Sequence, residues 1–391
     1  MWHTFTNATV CYRLRTAMEP AEAVLRFLAG VGTGSEAEFY LRLFRGRARE
    51  SFAALVVDGE TMRENIDSVA LDLRLLHSLS LTPVVVLGFY DEPGAELSAS
   101  TLHTKLHALG VPSVTITSAA RAQAITSAAA IGSVPILCLD GRDLETRLGE
   151  LATTLNDLKT HKLIFLRTEG GLALHGQLVS VVNLSDELEL LLAMPQWNTD
   201  ERLLLTCANR LVLELVAHEV LVTATAPLSL LHELFTVKGA GTLLRRGARV
   251  LRFEGLAGVE LERLRELLEA SFDKPLREST LGRSYSHAYI ESRYRGAALV
   301  TSTRLGTYLS KFAVTREAQG EGIGRDLWQV LVAEHPVLFW RARSSNPIRG
   351  WYEKQCDGRV RAREWTVYFK GLAPERIPEA IGHALAQPLD F

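Results

Sequence analysis

The sequence predicts an α/β protein in two parts: a mostly parallel sheet covered on both faces by helices, then a second α/β unit. Three observations predict this. From residue 52, short continuous apolar runs alternate with helical patterns, as buried parallel strands with helical crossovers do. Near Leu244-Arg245-Arg246-Gly247 that series ends, and a fresh strand and helix pattern opens at Ala248. Residues 305–352 then hold a strand, a glycine-rich turn, a helix and a second strand in close succession.

The elements follow in order. Residues 20–50 read as helical, with Phe39, Leu43 and Tyr40, Phe44 at helical spacing and Gly32 to Gly34 as punctuation. An amphipathic surface helix and a packing helix between subunits both fit. Ala54-Leu55-Val56-Val57 is a strand that stops at Asp58-Gly59, and a helix with Leu71, Leu75 and Leu76 follows. Pro83 to Gly88, Ser113–Ile116, Pro135 to Leu139 and Lys162 to Leu166 read as further strands, separated by helices around 102–109, 120–130 and 144–158. Glu169 to Leu178 reads as a short hairpin excursion. Leu188–Leu192 and Glu201–Val216 read as helices, and Glu219–Thr223 as a strand. In the second unit the pattern predicts strands at Val250–Phe253, Tyr285–Glu291, Ala297–Ser302, Tyr308–Val314, Val337–Arg343 and Trp365–Lys370. It predicts helices at Glu260–Ser271, after Gly324 and at the C-terminal end.

Composition excludes several function classes. The 391 residues leave room for about two or three domains. Lys+Arg 43 against Asp+Glu 45 gives a net charge of −2, without the basic footprint of a nucleic-acid or membrane-surface protein. No apolar run is long enough to cross a bilayer. Cys11, Cys138, Cys207 and Cys356 have no paired spacing, which argues against a disulfide framework or a zinc site and fits a reducing, cytoplasmic compartment. His103 and His107 sit at i, i+4 spacing without a supporting carboxylate or cysteine, so they read as a surface helix and no metal is expected. Residues 1–29 carry two arginines before the first acid, Glu19, and no apolar core for a secretory signal; they read as an N-terminal arm, with a targeting segment of transit-peptide character as the lesser alternative.

The chemistry concentrates in 305–352. A strand feeding Gln319-Gly320-Glu321-Gly322-Ile323-Gly324 and then a helix presents free backbone N–H groups and the positive end of a helix dipole, an anion site. A glycine-rich turn before an ordinary helix is the plainer alternative. The Lys-Ser/Thr pair of a nucleoside-triphosphate loop is missing, as is the acid that holds a ribose in dinucleotide sites. Lys311 lies among apolar neighbours, and alternation puts Leu309, Lys311 and Ala313 on one face. Arg341 and Arg343 share a face of the next strand, opposite Trp340 and Ala342. Such cations are uncommon inside apolar runs unless paired, so a substrate site competes with a structural ion pair or a solvated edge.

The chain resembles the N-acetylglutamate synthases of the type shared by vertebrates and some bacteria, including bacterial bifunctional synthase/kinases. The resemblance is carried by SEAEFYLRLF (35–44), KLIFLRTEGGL (162–172), ELFTVKGAGTLLRRG (233–247), YLSKFAVTREAQGEGIGRDLW (308–328) and LFWRARSSNPIRGWY (338–352). It implies an amino-acid kinase-like parallel-sheet α/β sandwich over 30–247 and a GNAT acyltransferase domain over 248–391. The implied activity is transfer of acetyl from acetyl-CoA to the α-amine of L-glutamate, the first step of arginine biosynthesis. A bifunctional synthase/kinase and a non-catalytic arginine-sensing subunit are the alternatives.

The resemblance also distributes roles. Ala313, Val314, Gln319, Gly320, Glu321, Gly322, Ile323, Gly324 and Arg325 fall on the coenzyme A loop and strand end, with the oxyanion donor at Ala313-Val314; Glu321's own side chain reads as solvated. Lys274, Lys311, Arg341 and Arg343 are the cations for the two carboxylates of glutamate. Tyr352 is implied to protonate or hydrogen-bond the departing thiolate, against the alternative of a packed aromatic beside Trp351, and Asn346 to orient substrate or Tyr352. Cys356 reads as structural. The kinase-like half departs from a working kinase: Asp58 stands where a phosphate-binding lysine belongs, and Phe89-Tyr90 follow Gly88 where a glycine cluster belongs. It therefore reads as a degenerate kinase, serving as scaffold and as a sensor for L-arginine around Glu233, Lys238, Gly239 and Gly241. The related enzymes imply a homo-oligomer, a dimer or tetramer.

Overall fold

The structure, a computed structural model, describes residues 34–90, 94–117, 120–215, 220–237 and 239–390. The expected arm, residues 1–29, lies outside the described residues, as does Lys238. Two compact units are present. The first runs to Ser180 and takes in Leu213–Thr242; the second joins Val181–Val212 to the chain from Leu243 onward. By compactness, then, the segment 181–212 groups with the later part of the chain rather than with the residues that precede it.

In the first unit the strands are β1 (Ala53–Val57), β2 (Val84–Leu87), β3 (Ser113–Ile116), β4 (Val134–Cys138) and β5 (Lys162–Leu166). A small hairpin, β6 (Ala173–Leu174) with β7 (Gln177–Leu178), follows. After β8 (Val181–Asn183), which belongs to the second unit, comes β9 (Leu221–Thr225). The order β3-β4-β2-β1-β5-β9 is parallel throughout. Strands β1, β2, β4 and β5 are buried along their whole length, which is why they read as unbroken apolar runs rather than alternating ones. Helix Gly34–Arg45 is not simply a surface helix: Ala37, Tyr40, Leu41 and Phe44 are buried in the core of this unit, with Phe44 against Phe52 and Phe235. The helix expected to carry Leu71, Leu75 and Leu76 spans Ile66–Ser78; Leu73 and Leu76 are buried in the core, Leu75 packs against it partly buried, and Leu71 is exposed.

Strand β10 (Thr242–Arg245), in the second unit from Leu243 on, pairs in parallel with β8, from Leu243↔Val181 to Arg245↔Asn183. A seven-stranded sheet then comprises β11 (Val250–Glu254), β12 (His287–Glu291), β13 (Gly296–Thr303), β14 (Gly306–Val314), β15 (Leu338–Arg343), β16 (Gly358–Ala362) and β17 (Trp365–Lys370), in the order β11-β12-β13-β14-β15-β17-β16. Neighbours are antiparallel except β14 and β15, which are parallel. Strand β16 has a polar, largely exposed sequence and no apolar run to announce it.

The sheet carries helices on both faces. Helix Ile323–Glu334 buries Ile323, Leu327 and Leu331 against Tyr289, Ala298 and Trp340. On the other face helix Leu261–Phe272 buries Leu264, Leu267 and Leu268 against Ala297 and Ala313, and helix Ile377–Ala386 buries Ala380 and Ala384 against Tyr308 and Phe339.

Candidate active site

The parallel pair β14–β15 is the structural origin of the site. The two strands pair only at Thr307↔Leu338, Tyr308↔Phe339 and Leu309↔Trp340. Beyond Leu309 they separate, and β14 continues to Val314 with its edge toward β15 unpaired among the described residues. Just there β14 is bulged: Leu299 pairs Lys311 while the next residue, Val300, pairs Leu309, so Ser310 is an extra residue. The bulge resets the alternation. Leu309 joins the core with Trp340 and Tyr352, whereas Ala313 joins the opposite one. The expectation that Leu309, Lys311 and Ala313 share a face is therefore corrected: Lys311 keeps company with Ala313 and turns away from Leu309.

Where the strands part, a cavity of about 300 Å³ opens, lined by residues from both faces of the sheet. Lys311 lines it and is 3% exposed. Its ammonium donates to the Ser310 carbonyl and Oγ, both at 3.2 Å, and lies 2.5 Å from Asp390 Oδ2. Burial lowers the Lys311 pKa to about 8, and the Asp390 carboxylate works against that shift. Arg283 pairs with the other oxygen of Asp390 and lines the same cavity.

The four expected cations do come to one cavity. Lys274 is exposed at its rim. Arg341 and Arg343 stack on the ring of Trp365, at 4.2 and 4.7 Å from guanidinium carbon to centroid, as their shared face requires. Arg343 reaches outward to Glu364 at 2.5 Å. Arg341 donates to the carbonyls of Leu385 (3.2 Å), Gln387 (2.8 Å) and Pro388 (2.9 Å). It thus holds the end of helix Ile377–Ala386 and the segment after it while lining the cavity. Arg283 and Asp390 escaped the sequence reading. Arg283 sits between two elements in a stretch without a motif, and nothing local ties Asp390 to a strand some eighty residues earlier.

Tyr352 approaches the cavity from the face opposite Lys311. It lies on helix Arg349–Gln355, launched by the Asn346-Pro347 turn, in which Asn346 Oδ1 accepts the Ile348 N–H at 2.9 Å. Its ring is walled by Trp340, Trp351 and Tyr368 at 5.6, 5.5 and 5.4 Å. Both readings of this residue therefore hold at once: it is a packed aromatic, and its phenol borders the cavity without a hydrogen-bond partner among the described residues. Burial pushes its pKa well up, so the phenol stays protonated. Asn346 lines the same cavity. Cys356 is half-buried, and burial raises its thiol pKa, consistent with a structural residue.

The glycine loop follows β14 directly. Gly320 and Gly322 have φ of 87° and 79°, and Gly322 is the residue before helix Ile323–Glu334. The first intrahelical bond runs from Asp326 N–H to Gly322 C=O at 3.1 Å, so the amides of Ile323, Gly324 and Arg325 lie ahead of the helical ladder. A side chain at Gly322 would be excluded twice, by its φ and by Arg245, whose Nε lies 2.6 Å from where a Cβ would stand. Arg245 is locked there by Asp326, which also accepts the Ala248 N–H at 2.6 Å. Gln319 Nε2 donates to Val314 C=O at 3.4 Å, tying the loop to the strand end. Ile323 is a core side chain, so only its backbone is available. Glu321 is not solvated: it pairs with Arg295 at 2.9 Å with a side chain 12% exposed. Arg325 is directed to Glu187 and the Val181 carbonyl, both at 2.9 Å.

In the first unit Glu233 is 7% exposed and accepts the Ala240 and Gly241 N–H groups at 2.8 and 3.0 Å. Gly239, with φ of 63°, lets that turn close over the carboxylate. Glu233, Gly239 and Gly241 are thus brought together with the acid serving the turn itself. Asp58, at the end of β1, accepts the Thr61 N–H at 2.6 Å and caps helix Gly59–Glu64; burial raises its pKa. A cavity of about 160 Å³ lies beside it, bordered by Gly59, Arg63, Gly88 and Gly94 among others. Phe89 is fully buried against Phe165.

Comparison with known proteins addresses the whole chain. Residues 251–385 match the family model described as NAT, N-acetyltransferase, of N-acetylglutamate synthase. An acetylglutamate kinase of Xanthomonas campestris pv. campestris is 30% identical, over 92% of this chain and 99% of the relative. The human mitochondrial N-acetylglutamate synthase is 32% identical, over 88% of this chain and 73% of the relative. Among solved structures, the N-acetylglutamate synthase of Neisseria gonorrhoeae complexed with coenzyme A and L-arginine has a TM-score of 0.52 at 16% identity, covering 86% of this chain and 98% of that one. At that identity the likeness speaks to fold, and the fold it gives is the same succession of two α/β units.

Proposed function

The chain belongs to the N-acetylglutamate synthase family, and from that membership and the geometry of its second unit we propose that it transfers acetyl from acetyl-CoA to the α-amine of L-glutamate by direct attack. One observation carries the mechanism. The parted strands put a buried ammonium on one side of a single cavity and, on the other, a phenol without a hydrogen-bond partner among the described residues. Lys311 holds one carboxylate of glutamate, and Lys274 and Arg343 at the rim attract the second. The amides of Gly320 and of Gly322–Arg325 suit the pyrophosphate of coenzyme A, the Glu321 N–H being committed to the Ala318 carbonyl at 3.2 Å, and this leaves the thioester between the strands. The unpaired edge of β14 toward Ala313-Val314 supplies the oxyanion donor.

The substrate ammonium gives a proton to water and the amine attacks the thioester carbonyl; as the tetrahedral oxyanion collapses the C–S bond breaks, the nitrogen loses its second proton to solvent, and the sulfur leaves as thiolate. Tyr352 is too weak an acid, so deeply buried, to hand over its proton outright; it stabilises the thiolate by donating a hydrogen bond, and solvent completes the protonation. The test is direct: the purified chain is mixed with acetyl-CoA and L-glutamate and free thiol is followed. Release of thiol with formation of N-acetylglutamate is expected, and no release would overturn the reading.

The name of the Xanthomonas relative favours weighing a second activity, phosphorylation of N-acetylglutamate in the first unit. We read that unit instead as a degenerate kinase. Asp58 adds negative charge where a triphosphate needs cations, and the neighbouring cavity offers Arg63 alone among its described lining residues as a counter-charge. ADP formation from ATP and N-acetylglutamate would reverse this. L-arginine is the candidate effector of the first unit, tested by adding it to the thiol assay. A cytoplasmic homo-oligomer completes the proposal; among the described residues no helix is long and apolar enough to cross a membrane.

A further inference from the structure

Asp390 is the acid that answers the buried lysine. One of its oxygens lies 2.5 Å from Lys311 Nζ, and the other pairs with Arg283 Nη1. Lys311 has a side chain 2% exposed and Arg283 one 22% exposed, so the two cations form a largely desolvated cradle with the two-point geometry that suits a carboxylate. An ammonium this deeply buried needs an anion beside it, because an uncompensated buried charge is strongly destabilising. The cradle nonetheless faces a cavity large enough for a small dicarboxylate, not a sealed core.

The backbone around Asp390 is held mainly by other groups, with Arg283 Nη2 also donating to the Leu389 carbonyl at 3.1 Å. The Asp390 carbonyl accepts the Arg277 N–H at 2.9 Å and Thr280 Oγ1 at 3.2 Å, and Arg341 holds the Gln387 and Pro388 carbonyls. Rotation of the Asp390 side chain therefore vacates the cradle while the segment stays in place. Asp390 spends one oxygen on each of the two cations, so a substrate carboxylate that needs the same two donors competes with it for the cradle.

We propose that Lys311 and Arg283 together form the subsite for one carboxylate of the substrate, and that Asp390 occupies this subsite until the substrate displaces it. The identity of that substrate, L-glutamate, rests on the transferase reading above. Arg283 becomes a substrate-binding residue, and Asp390 an internal competitor that supplies the buried ammonium with an anion in the ligand-free chain.

The test compares the full chain with Asp390→Asn and Asp390→Glu at about pH 6 as well as about pH 7, because Asp390 supports the Lys311 charge and its removal lowers the pH at which that charge is lost. If Asp390 holds the cradle about nine-tenths of the time, Asp390→Asn lowers the KM for L-glutamate about tenfold, with kcat within about twofold. Asp390→Glu keeps a competing carboxylate and shows a smaller fall in KM than Asp390→Asn. In the Asp390→Asn background, Arg283→Gln raises that KM about tenfold. An unchanged or higher KM in Asp390→Asn, or an indifferent Arg283→Gln, overturns the proposal. Calorimetric titration with glutarate, a dicarboxylate with no amine to acetylate, reads the cradle without the chemistry. Tighter glutarate binding by Asp390→Asn supports the cradle even if no form of the chain releases thiol, an outcome that would sink the transferase reading alone; unchanged or weaker binding overturns the cradle.

Discussion

Leu309 and Lys311, two positions apart on one strand, lie on opposite faces of the second unit's sheet, because the bulge at Ser310 shifts the alternation between them. That single extra residue turns the ammonium away from the aromatic face and toward Arg283 and Asp390.

The position of Lys311 makes substrate binding sensitive to alkali. Burial lowers its pKa from the ordinary 10.5 to about 8, so the charge is present below about 8 and lost above it. The KM for L-glutamate should rise as pH passes through about 8, and Lys311→Met should have a high KM without that inflection. For folding the sign is opposite: a lysine whose folded pKa is depressed favours the folded state increasingly as pH rises from about 8 toward 10.5. Initial rates at saturating acetyl-CoA across pH 6.5–9.5 check the binding half.

Tyr352→Phe keeps the ring and its aromatic neighbours and removes only the phenolic hydroxyl of a residue lining the cavity. It should lower kcat by about 100-fold with the KM for L-glutamate little changed, since the hydrogen bond strengthens as thiolate forms. Steady-state thiol release decides the matter. Unaltered kcat would leave Tyr352 as packing alone.

Gly322→Ala places a side chain at φ of 79° and against Arg245. Left-handed backbone disfavours alanine by about 1–2 kcal/mol, and displacement of Arg245 adds to it. Acetyl-CoA should bind at least about tenfold more weakly, measured as its KM, while the KM for L-glutamate stays near the parent. Equal effects on both substrates would argue for general disruption rather than a loop contact.

Asp326→Asn tests the lock behind the loop. The carboxylate and Arg245 have side chains 9% and 11% exposed, and removing one charge strands the other. A loss of about 3 kcal/mol in chemical denaturation of the second unit is expected. Arg245→Met with Asp326→Leu together should recover part of it, because an apolar pair leaves no buried charge behind.

Most of the fold was legible because its strands are buried on both faces and punctuated by turns; Lys162–Leu166 and Leu144–Leu158 are read from sequence with their observed bounds. Strand β16 was not, since Gly358–Ala362 is a polar edge strand with no hydrophobic signature. The glycine loop, Lys311 and Tyr352 could be read because each lies in a compact local motif. The partnership of Lys311 with Asp390 could not, and neither could the commitment of Arg341 to carbonyls beyond Leu385: both are long-range contacts. The bulge at Ser310 is equally silent, as nothing in YLSKFAV marks the residue that drops out of register.

The aromatic wall around Tyr352 has an experimental use. Of the six tryptophans in the chain, Trp340 and Trp365 line the cavity, and Trp328 and Trp351 pack directly behind it. Intrinsic emission is therefore weighted toward this one site. Excitation near 295 nm, outside the tyrosine band, should report arrival of a dicarboxylate or a thioester as a change in quantum yield, with no label attached. Departure of Asp390 from its cradle then has an optical signature that can be followed in stopped flow, before any bond is made or broken.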